Sequence, residues 1–305
     1  MNEEQTQRYE LLLAKGKEAY ENHAFGPALD AFDEAYDLQQ TPELNQLITR
    51  VLLADGQFKT AQLFADEFID SYLESAELAE LYVTVALKNQ QFIAAREFVT
   101  WVAPDVAATL TPEIETAEET FRTEQKATLN TIARQFYHLS DGDAINQKER
   151  LIAADKLPLR EYLVGARFAL VDPFLPAIAR VTVLDKLRRL QVTESVEMTW
   201  LDEKVMTIVP KDLQSLDEMP LFQTVVATLS GYEHEFGPAT VHALAEQARL
   251  MLMIAYPVID RVVENPRAWA AGLMAETMGE NAPTEPVEQQ SWRAKLGQEM
   301  MGLMP

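Results

Sequence analysis

The chain has 305 residues, 48 % of them hydrophobic and 24 % charged, enough apolar material for more than one folded unit or one long array. It has no cysteine, which excludes a disulfide framework, a thiolate nucleophile, a zinc ribbon and an iron–sulfur cluster. The 48 acidic against 26 basic side chains give a net charge of −22, which repels nucleic acid and anionic membranes from most of the surface.

The acidic, polar first residues are unlike a secretory signal. No apolar run reaches the roughly 18 residues that span a bilayer, so a cytoplasmic protein is expected. In the N-terminal third, helical periodicity is interrupted at a regular interval. Phe25-x-x-Ala28, Phe58-x-x-Ala61 and Phe92-x-x-Ala95 recur at spacings of 33 and then 34 residues. Each follows an apolar helical run and a short polar turn: Glu21 to Ala24, Asp55 to Gln57, and Asn89 to Gln91. The mechanics are those of a helical hairpin. The aromatic seats the turn, and the alanine lets the second helix come close to the first.

These residues resemble the tetratricopeptide repeat (TPR) family. In the first unit Leu12, Gly16, Tyr20, Phe25, Ala28, Phe32 and Ala35 fall on or beside the family's signature positions, with Pro42 near the closing proline. The second unit keeps Leu52, Gly56, Phe58 and Ala61 but has Ala65 and Phe68 where a large and then a small residue are usual. The third keeps Ala86, Phe92 and Ala95 and ends at Pro104. The likeness covers about residues 8–110. It implies an all-α fold, with a right-handed TPR-type solenoid of helical hairpins over residues 1–110 whose first helices line a concave, partner-binding face.

Laid onto this chain, the family pattern puts Glu10, Leu13, Lys17 and Tyr20 on that face in the first unit. Glu43, Gln46, Arg50 and Leu53 follow from the second, and Glu77, Glu80, Thr84 and Leu87 from the third. Chaperone-binding members of the family hold a peptide C-terminus in a clamp of lysine, asparagine and arginine. Here Leu13, Leu47 and Leu81 occupy three clamp positions, Glu77 replaces another cation, and Lys17 stands where an asparagine is usual. That departure argues against an acidic chaperone tail. A protein or peptide segment of mixed charge is the expected partner.

Beyond Pro104 the signature fades and helical periodicity continues over residues 111–280. Thr111-Pro112-Glu113 reads as a helix start running to about His138. Ser140 to Asp143 breaks that helix and caps a short one to Ala154, and Leu157-Pro158 opens another. Asp172-Pro173 opens a further helix with Phe174, Ala177, Ile178, Val181, Leu184, Leu187 and Leu190 at apolar spacing. A β-hairpin is expected near 195–209, where Val196, Met198 and Trp200 alternate with polar residues and Val205 to Val209 return. Helices resume at about 218–230, 238–256 and 266–278. Residues 281–288 read as a flexible linker, and Trp292, Leu296 and Met300 as the stripe of a short amphipathic tail suited to docking or self-association. As a whole the chain is similar, more loosely, to bacterial TPR proteins with a hairpin-containing C-terminal region, a likeness that implies no activity.

No nucleophile elbow, phosphate-binding loop or dinucleotide fingerprint is present, and no catalytic residue, metal ligand or cofactor is assigned. His242 and Glu246 have i,i+4 spacing on a helix, but a metal needs three or four converging ligands. The leading expectation is a non-enzymatic interaction module or scaffold. The alternative is a nucleic-acid-associated regulator using the basic helix and hairpin at 173–209, with Arg180, Lys186, Arg188 and Arg189. The acidic turn Asp202-Glu203 of that hairpin would face phosphate and disfavours it. An enzyme with an acidic site unmarked by any motif is the third reading.

Overall fold

The computed structural model describes residues 2–279 and 284–302. Among them the chain is all-α apart from one two-stranded sheet. Two units are distinguished, Met1–Ala133 with Ile152–Tyr162, and Arg134–Leu151 with Leu163–Pro305. The first holds α1 (Glu3–Glu21), α2 (Phe25–Leu38), α3 (Pro42–Ala54), α4 (Phe58–Glu67), α5 (Ala76–Lys88), α6 (Phe92–Val99) and α7 (Pro104–Glu124). The helices α8 (Lys126–Tyr137), α9 (Ala144–Ala154) and α10 (Leu159–Val171) each contribute residues to both units.

Two kinds of helix start alternate in unit 1. Helices α1, α3 and α5 begin at Asn2, Thr41 and Ser75, whose side chains accept the backbone N–H of Gln5, Leu44 and Leu78. Helices α2, α4 and α6 have no side-chain cap. They are entered through a left-handed residue instead: His23 (φ 56°), Gly56 (φ 77°) and Gln90 (φ 60°). The N–H after each of these reaches back five residues, Ala24 to Ala19, Gln57 to Leu52 and Gln91 to Ala86, at 2.8–2.9 Å. These bonds satisfy carbonyls that a helix end leaves open. The same reversal is therefore built three times, and two of the three tolerate a side chain in a conformation that favours glycine.

Behind each reversal, Ala28, Ala61 and Ala95 are completely buried, and α1 packs on α2, α3 on α4 and α5 on α6. Gly16 serves the same approach, since a Cβ there would lie 2.4 Å from the Phe32 ring. Successive hairpins are joined by core residues, among them Phe32, Ile48, Leu52, Tyr82 and Phe98, in a cluster that extends to Leu110 and Ile114. The unit runs past residue 110 because α7 packs on both α5 and α6.

The helix start expected at Thr111-Pro112 is not one. Helix α7 begins at Pro104 and passes through Pro112. A proline removes one backbone donor, and two hydroxyls bond main-chain carbonyls around it: Thr111 to Ala107 at 2.7 Å and Thr116 to Pro112 at 2.8 Å. The helix also stops at Glu124 rather than continuing to His138, and α8 follows after Gln125. Glu118 of α7 is almost fully buried. It accepts two bonds from Arg96, at 2.7 and 2.9 Å, and one from the Leu159 N–H, while Arg122 pairs with Glu161 at 3.0 Å. These bonds hold residues 152–162 to α7.

Unit 2 contains α11 (Ala177–Arg189), β1 (Val196–Thr199), β2 (Val205–Ile208), α12 (Pro220–Ser230), α13 (Glu233–Phe236), α14 (Pro238–Ala255), α15 (Pro266–Met278) and α16 (Val287–Met301). The hairpin pairs Val196 with Ile208 and Thr199 with Val205, antiparallel. Trp200, just past β1, is buried, and its indole N–H donates to the Ala255 carbonyl at 3.0 Å. Helix α11 starts four residues later than Pro173, since Asp172 caps only a turn, accepting the Phe174 N–H at 3.0 Å. Phe174 thus leaves the apolar stripe and is 84 % exposed.

Helix α16 packs on α14 and α15. Leu296 and Met300 face inward, and Trp292 is half-buried with its ring centroid 5.4 Å from that of Trp200. Arg293 is buried beside them, paired with Glu276 at 2.8 Å and with Glu285. The expected linker at 281–288 lies partly outside the described residues, as do Leu303 and Met304, and Val287 and Glu288 already belong to α16. In urea denaturation, Ala61→Leu should lose about 1–3 kcal/mol by overpacking. Lys59→Ala, two residues away and exposed, should stay within about 0.5 kcal/mol of the parent.

Candidate functional site

The residues expected to contact a partner lie on α1, α3 and α5. Leu13, Tyr20, Leu53 and Leu87 are half-buried and rest on the unit 1 core. Lys17 and Glu80 are exposed, and Thr84 is half-buried. The Tyr20 and Phe25 ring centroids are 6.2 Å apart, so this aromatic also helps seat the first reversal. Arg50 of α3 pairs with Glu77 of α5 at 2.9 Å, an ion pair that joins two of the three helices. Gln46 turns toward the protein and donates to the Ser71 hydroxyl at 3.1 Å. Among the described residues no hydrogen bond or ion pair joins Lys17, Glu80 or Thr84 to the others.

A buried polar cluster supports this face. Asn45 and Thr49 occupy one side of α3 and are fully enclosed, as is Tyr72 in the 3₁₀ turn Ile69–Leu73. The Tyr72 hydroxyl donates to Asn45 Oδ1 at 2.9 Å and meets Thr49 Oγ1 at 2.8 Å, leaving the threonine to donate. The Asn45 amide donates in turn to the Phe64 carbonyl at 2.8 Å. The cluster therefore fixes α3 against the end of α4 and the turn before α5. Burial pushes the Tyr72 phenol up to about 12. Burial and the neighbouring Asp66 carboxylate also push Tyr82 upward.

The basic residues at 173–209 are largely spent within unit 2. Arg180 is buried, and Arg188 and Arg189 both pair with Asp185, at 2.8 and 3.1 Å. In the hairpin turn, Asp202 pairs with Lys204 at 3.3 Å. His242 and Glu246 are exposed on α14, and no group of three or more His, Asp or Glu among the described residues could hold a metal ion. No described helix is long and apolar enough to cross a membrane.

Two cavities carry no sequence motif. One, of about 500 Å³, lies in unit 1 where the α3–α4 and α5–α6 reversals meet Lys156, and it brings Lys59, Lys88 and Lys156 together. The other, of about 870 Å³, lies in unit 2 among the start of α11, the hairpin turn and α16. Their linings come from segments far apart in the chain, which leaves no local pattern to read.

The Tyr72 cluster has a measurable pH signature. The folded phenol keeps its proton up to about 12, whereas in the unfolded chain it is lost near 10. Between these values the unfolded state binds fewer protons, so this contribution is complete below pH 10 and falls as pH rises toward 12. Tyr72→Phe should cost about 1–3 kcal/mol at neutral pH, because buried Asn45 loses its donor, and should flatten the alkaline loss in chemical denaturation.

Comparison with known proteins found no family model that matches the chain, and no curated protein or solved structure that matches it either.

Proposed function

We propose that unit 1 is a right-handed TPR-type solenoid and that the protein is a non-enzymatic cytoplasmic interaction module. It takes a peptide or helix of a partner protein along α1, α3 and α5. The observation that carries this reading is the thrice-repeated hairpin, with its left-handed reversal, buried alanine and five-residue back bond at each turn. Stacked repeats of that kind bury a core between neighbours and leave one helix of each pair to line an extended face.

The chemistry of that face supports a partner of mixed character. Half-buried Leu13, Tyr20, Leu53 and Leu87 offer apolar contacts, and Lys17, Arg50, Glu77 and Glu80 surround them with both signs of charge. An amphipathic helix with alternating charge fits such a surface. The internal pairing of Arg188 and Arg189 favours this reading over nucleic-acid regulation through residues 173–209.

The test is affinity capture from a native lysate with the parent chain and with the Lys17→Glu, Glu80→Lys double variant. Both positions are exposed, so melting temperatures should agree within about 2 °C. Proteins recovered with the parent should be lost with the variant. Unchanged recovery, or steeply salt-dependent binding of duplex DNA instead, would sink the proposal.

A further inference from the structure

Unit 2 buries two arginines in opposite ways. Arg293 is met by two carboxylates, Glu276 and Glu285. Arg180, only 7 % exposed, has neither. Its Nη1 donates to two main-chain carbonyls, Asp172 at 2.9 Å and Leu175 at 2.7 Å. Its Nε has no hydrogen-bond partner, and no carboxylate among the described residues forms an ion pair with it. The Asp172 and Glu299 carboxylates act on Arg180 only through space, and burial outweighs them, holding the guanidinium below its ordinary pKa.

Arg180 lines the larger cavity, and so does Lys295, whose ammonium donates to the Leu201 carbonyl at 2.8 Å. Trp200 and Leu175 form an apolar wall, and Phe174 stands at the same cavity almost fully in water. A volume of about 870 Å³ is in the range of small-molecule sites, which combine apolar walls with a few convergent polar groups. Glu203 and Glu299 also line it, which sets two acids against the two cations. That balance disfavours nucleotides and polyphosphates, and a single negative charge is held by direct contact with the two cations rather than by a net positive field.

We propose that this cavity binds a monocarboxylate with an aromatic or branched apolar body. The carboxylate meets the Nη2 group of Arg180 and the Lys295 ammonium, and the body lies between Phe174 and Trp200. A charge-assisted bond from each cation holds a carboxylate more strongly than a neutral amide. Phe174, which rests on little of its own chain, gains burial from such a ligand. The carboxylate has two sources with the same chemistry, a free small acid or the C-terminus of a peptide.

Isothermal titration of the full chain tests this with phenylacetate and N-acetyl-alanyl-phenylalanine as the two acids. Phenylacetamide, benzylamine and inorganic phosphate serve as controls. One acid or both should bind at one site per chain, with the amide at least about tenfold weaker. Preference for phenylacetate identifies a free acid as the source, and preference for the dipeptide a chain terminus. Arg180→Gln should weaken binding at least about tenfold. Because that variant removes bonds to the Asp172 and Leu175 carbonyls and can impair folding, exposed Phe174→Ala is the second probe, expected to weaken binding about threefold or more without lowering the melting temperature. The proposal is overturned if neither acid saturates below roughly 10 mM, if amide, amine or phosphate binds as well as the acids, or if folded Phe174→Ala binds like the parent.

Discussion

The close approach of two helices at each reversal is the constraint on which unit 1 depends. Two backbones come near only where the side chain between them is small, and Ala28, Ala61 and Ala95 supply that at the start of each second helix. Gly16 goes further and admits the face of Phe32 where no Cβ would fit. Once the pair is close, the chain must turn within a few residues, and the left-handed residue with its back bond is the device that turns it. Position of the second helix, the seat of an aromatic that is half-buried at Phe25 and Phe58 and buried at Phe92, and exposure of the first helix's outer side all follow from that single approach.

The polar residues behind the face show how this geometry is kept from sliding. Apolar contacts between helices are non-directional, and alanine-lined contacts offer few features to lock a register. Asn45, Thr49 and Tyr72 add direction, since each hydrogen bond is satisfied in one relative placement of α3 and the turn before α5. The Arg50–Glu77 pair joins α3 to α5 itself from outside, where water weakens it. The inner cluster therefore decides the geometry, and the outer pair decorates it.

What could be read from the chain was what is local in it. The Phe-x-x-Ala spacing, the turns before it and the hairpin at Val196–Ile208 are consequences of neighbours within a few residues, and the alternation that marks Trp200 as inward-facing is local too, although Ala255 and Trp292 are what meet it. Misreadings came where two local signals competed. Pro104 reads as the close of the third repeat and Pro112 as a first-turn proline, whereas α7 starts at the first, and its packing on α5 and α6 carries one helix through the second. The face residues on α1, α3 and α5 could be named from the repeat, but Gln46 could not be recognised as an internal strut, because Ser71 is 25 residues away. Arg180 and Arg293 likewise look like solvated positions in a basic helix and an amphipathic tail. Their burial depends on Leu175, Glu276 and Glu285, which no short-range periodicity connects to them.

The seat of α16 has a further consequence. Arg293 enters a space that exists because residue 272 is glycine, for a Cβ there would lie 2.4 Å from Nη1. Glu276 keeps 46 % of its side chain in water and only Glu285 is enclosed with the arginine, so the ion pairs contribute more to placement than to stability. Their effect is on register. Sliding α16 by one turn would carry the guanidinium about 5.4 Å from Glu276 of α15 and from the gap at Gly272, while Glu285, in the segment leading into α16, would move with it. The fit of Arg293 into the gap at Gly272 thus fixes one register of α16 on α15, where apolar contacts alone would let the helix slide.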